Sequence, residues 1–191
     1  MQICLYGASS NVLAQSYLDA AYDAGRLLAQ RGHALVYGGG AQGVMGAAAR
    51  GVHENGGKVI GVAPSFFNVD GILYDQCDEF IYTETMRERK GIMDEKAEGF
   101  LLAPGGIGSF EEFFEILTLK QLGKHNRPIA VLNTNNYYAP LHAMLEHAVK
   151  ERFATVPCLM LYQLCDTPAE AVEYLEHYDV AALDIKHLKN I

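Results

Sequence analysis

The groups best able to do chemistry in this sequence are a basic pair, a trio of carboxylates and two glycine-rich turns. Met86-Arg87-Glu88-Arg89-Lys90-Gly91-Ile92-Met93 reads as helix, and Met86, Arg89, Lys90, Met93 and Ala97 recur by steps of three or four, so they share one face. The methionines and Ala97 should bury that face, which places two cations on the core stripe. Burying an unpaired cation costs several kcal/mol, so Arg89 and Lys90 must snorkel to solvent or meet an anion. An acidic side chain or a bound phosphate would serve.

Gly38-Gly39-Gly40-Ala41-Gln42-Gly43-Val44-Met45-Gly46 follows a strand-like run and opens a helix. Five glycines in nine positions imply backbone that turns tightly or approaches something closely. At the carboxyl end of a parallel strand that something is a ligand held by free helix amides, or simply the next helix packed close. Both readings stay open on spacing alone. Pro104-Gly105-Gly106-Ile107-Gly108-Ser109-Phe110-Glu111-Glu112 repeats the arrangement between another strand and helix. Here Ser109 and Glu112 also have capping-box spacing, and Glu111, Glu112 and Glu115 near a helix start suit the dipole without any ligand.

The elements that must position these groups alternate along the chain. Strand-like runs are Ile3 to Tyr6, Ala34 to Tyr37, Val59 to Ala63, Glu79 to Tyr82, Phe100 to Ala103, Ile129 to Leu132 and a weaker one at Leu159 to Leu161, with helical segments in most of the gaps. This pattern predicts an α/β fold, a Rossmann-like doubly wound parallel sheet with helices on both faces, as a single domain over residues 1–191. The first helix is expected from about Asn11 to Gln30, capped by Ser9 or Ser10 and stopped at Gly32, with Leu13, Tyr17, Ala20, Ala24 and Leu27 facing the core. Pro64 to Asp78 lacks regular period and is expected to lie as a loop over the sheet edge. The stretch after Tyr178, with Asp184, Lys186, His187 and Lys189, has weak periodicity and is expected to fray.

Composition excludes several classes. Fifteen Lys plus Arg stand against 23 Asp plus Glu, a formal net charge of −8, so a surface built for a nucleic-acid backbone is not expected and any phosphate partner should be small and locally bound. Cys4, Cys77, Cys158 and Cys165 form no C-x-x-C pair and read as free thiols of a reducing compartment. His142 and His147 lie five apart and share no metal-binding face, so neither a metal nor another cofactor is expected. The chain opens directly on the strand-like Gln2 to Tyr6, without a targeting signal, and no apolar run approaches the roughly 20 residues that span a bilayer. A cytoplasmic protein with no membrane partner is expected.

Together these residues resemble the LONELY GUY (LOG) family of cytokinin riboside 5′-monophosphate phosphoribohydrolases, whose hallmark is PGGxGTxxE preceded by a helix bearing an Arg-Lys pair. The resemblance runs through Tyr6-Gly7-Ala8-Ser9-Ser10, the glycine loop from Gly38 to Gly46, Met86 to Lys90, Pro104 to Glu112 and Gln121-Leu122-Gly123. It implies catalytic roles for Arg89 and Glu112. It also implies substrate contacts from Ser9, Gly39, Gly40, Met86, Arg89, Lys90, Gly105, Gly106, Ile107, Gly108, Ser109, Phe110, Glu111 and Thr118, and a homodimer with the helices after Glu111 near the partner. Ser109 stands where most members have threonine and keeps the hydroxyl. Ile107 replaces a common tyrosine and Gly91-Ile92 a usual Ala-Glu, departures that bear on base preference more than on chemistry. Members have carried the label lysine decarboxylase, but nothing here resembles a pyridoxal-phosphate lysine site.

The reaction so implied is hydrolysis of a nucleoside 5′-monophosphate, AMP or N6-modified AMP, to free base and ribose 5-phosphate. Breaking the ribosyl C–N bond builds positive charge on the sugar, which calls for a carboxylate near the anomeric carbon and a held water. Glu112 suits both, with Arg89, Lys90 and the amides around Gly105 to Ser109 left to take the phosphate. The alternative is a non-catalytic nucleotide-binding or sensing module on the same fold. A nicotinamide-dependent oxidoreductase fares worse, because G-x-G-x-x-G and its acidic ribose ligand are both missing.

Overall fold

The computed structural model describes residues 1–69 and 71–179, so the expectation for Asp184, Lys186, His187 and Lys189 falls outside the described residues. One sheet carries β1 (Gln2–Tyr6), β2 (Ala34–Tyr37), β3 (Val59–Pro64), β4 (Glu79–Thr83), β5 (Gly99–Leu102), β6 (Ile129–Leu132) and β7 (Gln163–Cys165). Its spatial order is β4-β3-β2-β1-β5-β6-β7, and every neighbouring pair is parallel. The helices are α1 (Gln15–Gln30), α2 (Gly43–His53), α3 (Met86–Lys96), α4 (Ile107–Gln121), α5 (Ala139–Lys150) and α6 (Pro168–His177).

Strand residues alternate between two cores. Ile3, Leu5, Leu35 and Leu101 face the layer of α1, α2 and α6, while Cys4, Tyr6, Val36 and Phe100 face that of α3, α4 and α5. Both faces are covered, which is why the central strands are almost wholly apolar. Chain order reverses at β1. It leads to β2 on one side and is joined by β5 on the other, so the loops after β1 and β5 leave in different directions. A crevice opens at their carboxyl ends, and one backbone bond from Ala8 N–H to the Pro104 carbonyl (3.1 Å) marks its base.

Local details depart from the sequence expectation in three places. Helix α1 begins at Gln15 rather than near Asn11, with Ala14 as an N-cap residue that makes no side-chain cap bond. Ser9 and Ser10 are instead held in the β1–α1 loop, pressed on the start of α2. A Cβ added to Gly43 would stand 2.7 Å from the Ala8 and Ser10 carbonyl oxygens. The fully buried residues of α1 are Ala21, Ala24, Gly25 and Leu28, while Leu13, Tyr17, Ala20 and Leu27 of the expected stripe pack against the same core partly buried. The helix is rolled because α1 and α2 touch backbone to backbone, Gly25 against the Ala48 carbonyl and Gly51 against that of Tyr22. The weak strand expected at Leu159 to Leu161 is a 3-10 turn, Val156–Met160, opened by Pro157, and the edge strand follows it at Gln163–Cys165.

Candidate active site

Helix α3 is fixed at its start by a capping box. The Thr85 hydroxyl accepts from Glu88 N–H (3.2 Å) and the Glu88 carboxylate accepts from Thr85 N–H (3.2 Å). One turn on, Arg89 enters the crevice with only 7% of its surface exposed. Its Nη1 donates to Glu112 Oε1 at 2.7 Å and its Nε to the Val62 carbonyl at the end of β3 at 3.2 Å. Of the two outcomes open to a cation on the core stripe, Arg89 meets an acid. Glu112, in the second turn of α4, is itself 9% exposed. Loss of hydration on burial lifts its carboxyl above the usual glutamate value, and the Arg89 guanidinium restrains that rise.

Lys90 points elsewhere. Its ammonium pairs with Glu111 and with Glu115 (2.6 Å) on the outer side of the α3–α4 contact. Burial pulls its pKa down, but the two carboxylates outweigh that and hold it above the ordinary lysine value.

A cavity of about 650 Å³ opens over the Arg89–Glu112 pair, within the size range of small-molecule sites. Eight of the residues expected at the site line it: Ser9, Gly40, Met86, Arg89, Gly106, Gly108, Ser109 and Glu112. The others lie outside that lining. Gly105 is buried beneath Ser109, Phe110 packs edge-on to Tyr138, and Gly39 backs onto the Phe80 ring. Ile107, Glu111 and Thr118 sit exposed on α4, and Lys90 is occupied as described.

The far wall of the cavity was missed by sequence reasoning. Phe67, Ile72 and Leu73 come from the irregular stretch after β3, and Met45 from α2. Ala41 N–H bonds to the Ile72 carbonyl (2.9 Å) and Tyr74 N–H to that of Gly39 (2.8 Å), which ties the stretch to the first glycine loop. Large apolar residues in a segment without period were the signal that could have found this wall.

The second glycine turn is clamped from behind. Tyr137 OH donates to the Gly105 carbonyl (2.6 Å) and Tyr138 OH to that of Ala103 (2.8 Å). Asn135 and Asn136, both at positive φ (55° and 58°), form the bend that delivers the two rings. The turn then enters α4 with Gly106 as N-cap, without a side-chain cap. The expected Ser109–Glu112 capping box is therefore absent: the N-cap lies three residues earlier, at Gly106, and Ser109 is the third residue of the helix, buried against Gly105. First-turn amides without a cap, next to a cavity, suit an anion.

A second groove of about 700 Å³ runs beside β7 and α6. Its described lining has no lysine or arginine to take a phosphate. Among the described residues no group of three or more His, Cys, Asp or Glu is placed to hold a metal ion, and no helix is long and apolar enough to cross a membrane.

The family model described as "Possible lysine decarboxylase" matches residues 45–175. The cytokinin riboside 5′-monophosphate phosphoribohydrolase LOG of Oryza sativa subsp. japonica is 37% identical over 177 residues, 93% of this chain and 73% of that protein. A protein of the same enzyme name from Arabidopsis thaliana is 36% identical over 93% of this chain and 82% of its own length. Among solved structures, the molybdenum cofactor carrier protein of Chlamydomonas reinhardtii superposes with a TM-score of 0.72 at 22% identity, covering 95% of this chain and 98% of that one. That likeness concerns the fold. By sequence, over nearly its whole length, the chain belongs to the LOG family.

Proposed function

We propose that this protein hydrolyses the N-glycosidic bond of adenosine 5′-monophosphate, plain or N6-modified, to free base and ribose 5-phosphate, the reaction its relatives are named for. The observation that carries the reading is the buried convergence of Arg89 and Glu112 at 2.7 Å over a cavity lined by both glycine turns. A pure binder of phosphate gains nothing from a carboxylate in that place.

The roles follow from charge. The phosphate goes to the first-turn amides of α4, at Gly106, Gly108 and Ser109, with Arg89 adding a charge-assisted contact. Lys90, engaged with Glu111 and Glu115, supports the α3–α4 contact instead. Glu112 is repelled by the phosphate and faces the sugar, where it draws a proton from the attacking water and stabilises the oxocarbenium-like transition state. Arg89 keeps Glu112 ionised despite its burial. Met45, Phe67, Ile72, Leu73 and Met86 provide an apolar wall for the base and any N6 substituent. No metal or organic cofactor enters this scheme.

The same reading makes the chain a single cytoplasmic domain that works as a homodimer. Support for pairing comes from α5, which buries no residue completely, and from Met144 on it and Phe153, Val156 and Met160 after it, all more than half exposed. Light scattering that returned a monomer mass would end the dimer proposal.

The activity is tested by incubating the purified protein with AMP, N6-prenylated AMP and the matching nucleosides and assaying free base. Base released from the monophosphates and far less from the nucleosides is expected. Tight nucleotide binding with no base released would favour the non-catalytic alternative.

A further inference from the structure

The five glycines of the first turn answer to different neighbours. A Cβ at Gly43 or Gly46 would strike backbone, the Ala8 and Ser10 carbonyls at 2.7 Å and the Ala41 carbonyl at 2.0 Å, and Gly43 also has φ of +62°. Those two belong to the fold. Gly39 sits at φ +76° with the Phe80 ring 2.6 Å from the added carbon, and Gly40 faces the flexible end of Met45. Gly38 differs from all of them. Its φ, like those of Gly40 and Gly46, lies outside the left-handed range, and what sets it apart is its neighbour: Arg89 Nη2 is 2.2 Å from where a Cβ would stand, with the flexible Met45 side chain next at 3.3 Å.

From this we infer that Gly38 is a positioning residue: the bare Cα just after β2 is the slot that admits the Arg89 guanidinium, and that slot sets where the arginine meets Glu112. The guanidinium is held on three sides, by the Val62 carbonyl at Nε, by Glu112 at Nη1 and by Gly38 against Nη2. Moving any one of them moves the charge. A methyl group on Gly38 displaces the tip of a flexible side chain, which the fold tolerates far better than a clash with backbone. The same displacement takes Nη1 from the carboxylate, and charge-assisted hydrogen bonds weaken steeply with misalignment. The glycine thus serves the arginine, and a backbone approach to the ligand is not required at this position.

The inference rests on the phosphoribohydrolase reading for its effect on turnover, though not for the contact itself. The test is a double-mutant cycle of Gly38→Ala with Arg89→Ala, read by melting temperature and by base release from AMP. Expected in the Arg89 background are a lowered melting temperature, because the methyl group dislodges a buried ion pair, a turnover loss of about tenfold or more and an acid limb of the pH–rate profile moved to higher pH, because Glu112 has lost its guanidinium neighbour. In the Arg89→Ala background the slot is empty, and adding the methyl group should leave the melting temperature unchanged. An equal penalty in both backgrounds, or a double variant that fails to fold while Arg89→Ala folds, overturns the slot. If the wild-type protein releases no base from any monophosphate, the enzymatic reading fails, and the melting-temperature arm of the cycle still decides the role of Gly38.

Discussion

Arg89 and Glu112 neutralise one another beneath the cavity, 2.7 Å apart and each less than a tenth exposed, although they belong to helices that are consecutive only through β5. A buried pair of this kind is weak evidence of stabilisation, since desolvation offsets much of the attraction. Its value is in its location, at the switch point of the sheet and next to the uncapped start of α4.

Removing the charge of Glu112 while keeping its shape should separate binding from chemistry. Glu112→Gln is expected to retain nucleotide affinity within a few-fold and to lose turnover by about 10² or more. Calorimetric titration with AMP and a base-release assay check the two halves, and wild-type turnover in the variant would remove Glu112 from the mechanism.

Arg89→Ala should weaken AMP far more than adenosine, because only the monophosphate offers the anion. Equal losses for both ligands would contradict a phosphate contact.

Turnover should fall with acid at a pH above the ordinary glutamate value of 4.5. Burial raises the Glu112 carboxyl, so the ionised, active form is lost as pH drops through that raised value. The profile of kcat/KM against pH reads it directly. A limb at or below 4.5 would mean that another group controls activity.

Tyr137→Phe deletes the hydrogen bond to the Gly105 carbonyl and frees the glycine turn from behind. A stability loss of about 0.5–1.5 kcal/mol is expected, together with a KM for AMP raised several-fold and a smaller change in kcat. Unchanged KM would show that the clamp does not reach the phosphate site.

Lys120 is fully buried, its Nζ has no hydrogen-bond partner among the described residues, and it lies 4.4 Å from the Tyr178 ring centre. Burial pulls its pKa from 10.5 to about 8, a shift worth on the order of 3 kcal/mol, part of which the ring offsets by cation–π attraction. The sign is that of a depressed lysine. The cost is fully present below pH 8 and is relieved as pH rises toward 10.5, because the unfolded chain then holds the extra proton. Lys120→Met should therefore be more stable than wild type at pH 7, and the gap should narrow by pH 10. Denaturant unfolding at both pH values measures it, and a gap independent of pH would remove the ammonium as its cause.

Six of the seven strands and their order of appearance were legible because a doubly covered parallel sheet leaves short apolar runs, and the seventh was misplaced because the apolar run at Leu159 to Leu161 belongs to a 3-10 turn and to the residue after it. The pairing of β5 with β1 was not, since strand order is a matter of which crossover lies on which face. The Arg89–Lys90 pair shows the same divide within two residues. Periodicity placed both cations on one helical face and required an anion for each that did not reach solvent. It could not separate the one that turns inward from the one that leans out, because a face spans about 100° and the roll of α3 is set by its capping box and by the Val62 carbonyl.

Residue types alone determined that this chain forms an α/β layer structure with two glycine-rich turns, a basic pair and an acid cluster at helix starts. These are local properties, written in spacing and in the intrinsic geometry of glycine and proline. Only the tertiary structure decided that Gly38 abuts a guanidinium while Gly43 abuts a carbonyl, that Ser109 lies buried against Gly105 without capping α4, and that Phe67 and Ile72 close the cavity. Each of those depends on atoms distant in sequence arriving at one place, and close packing fixes such meetings to fractions of an ångström that no pattern of neighbours encodes.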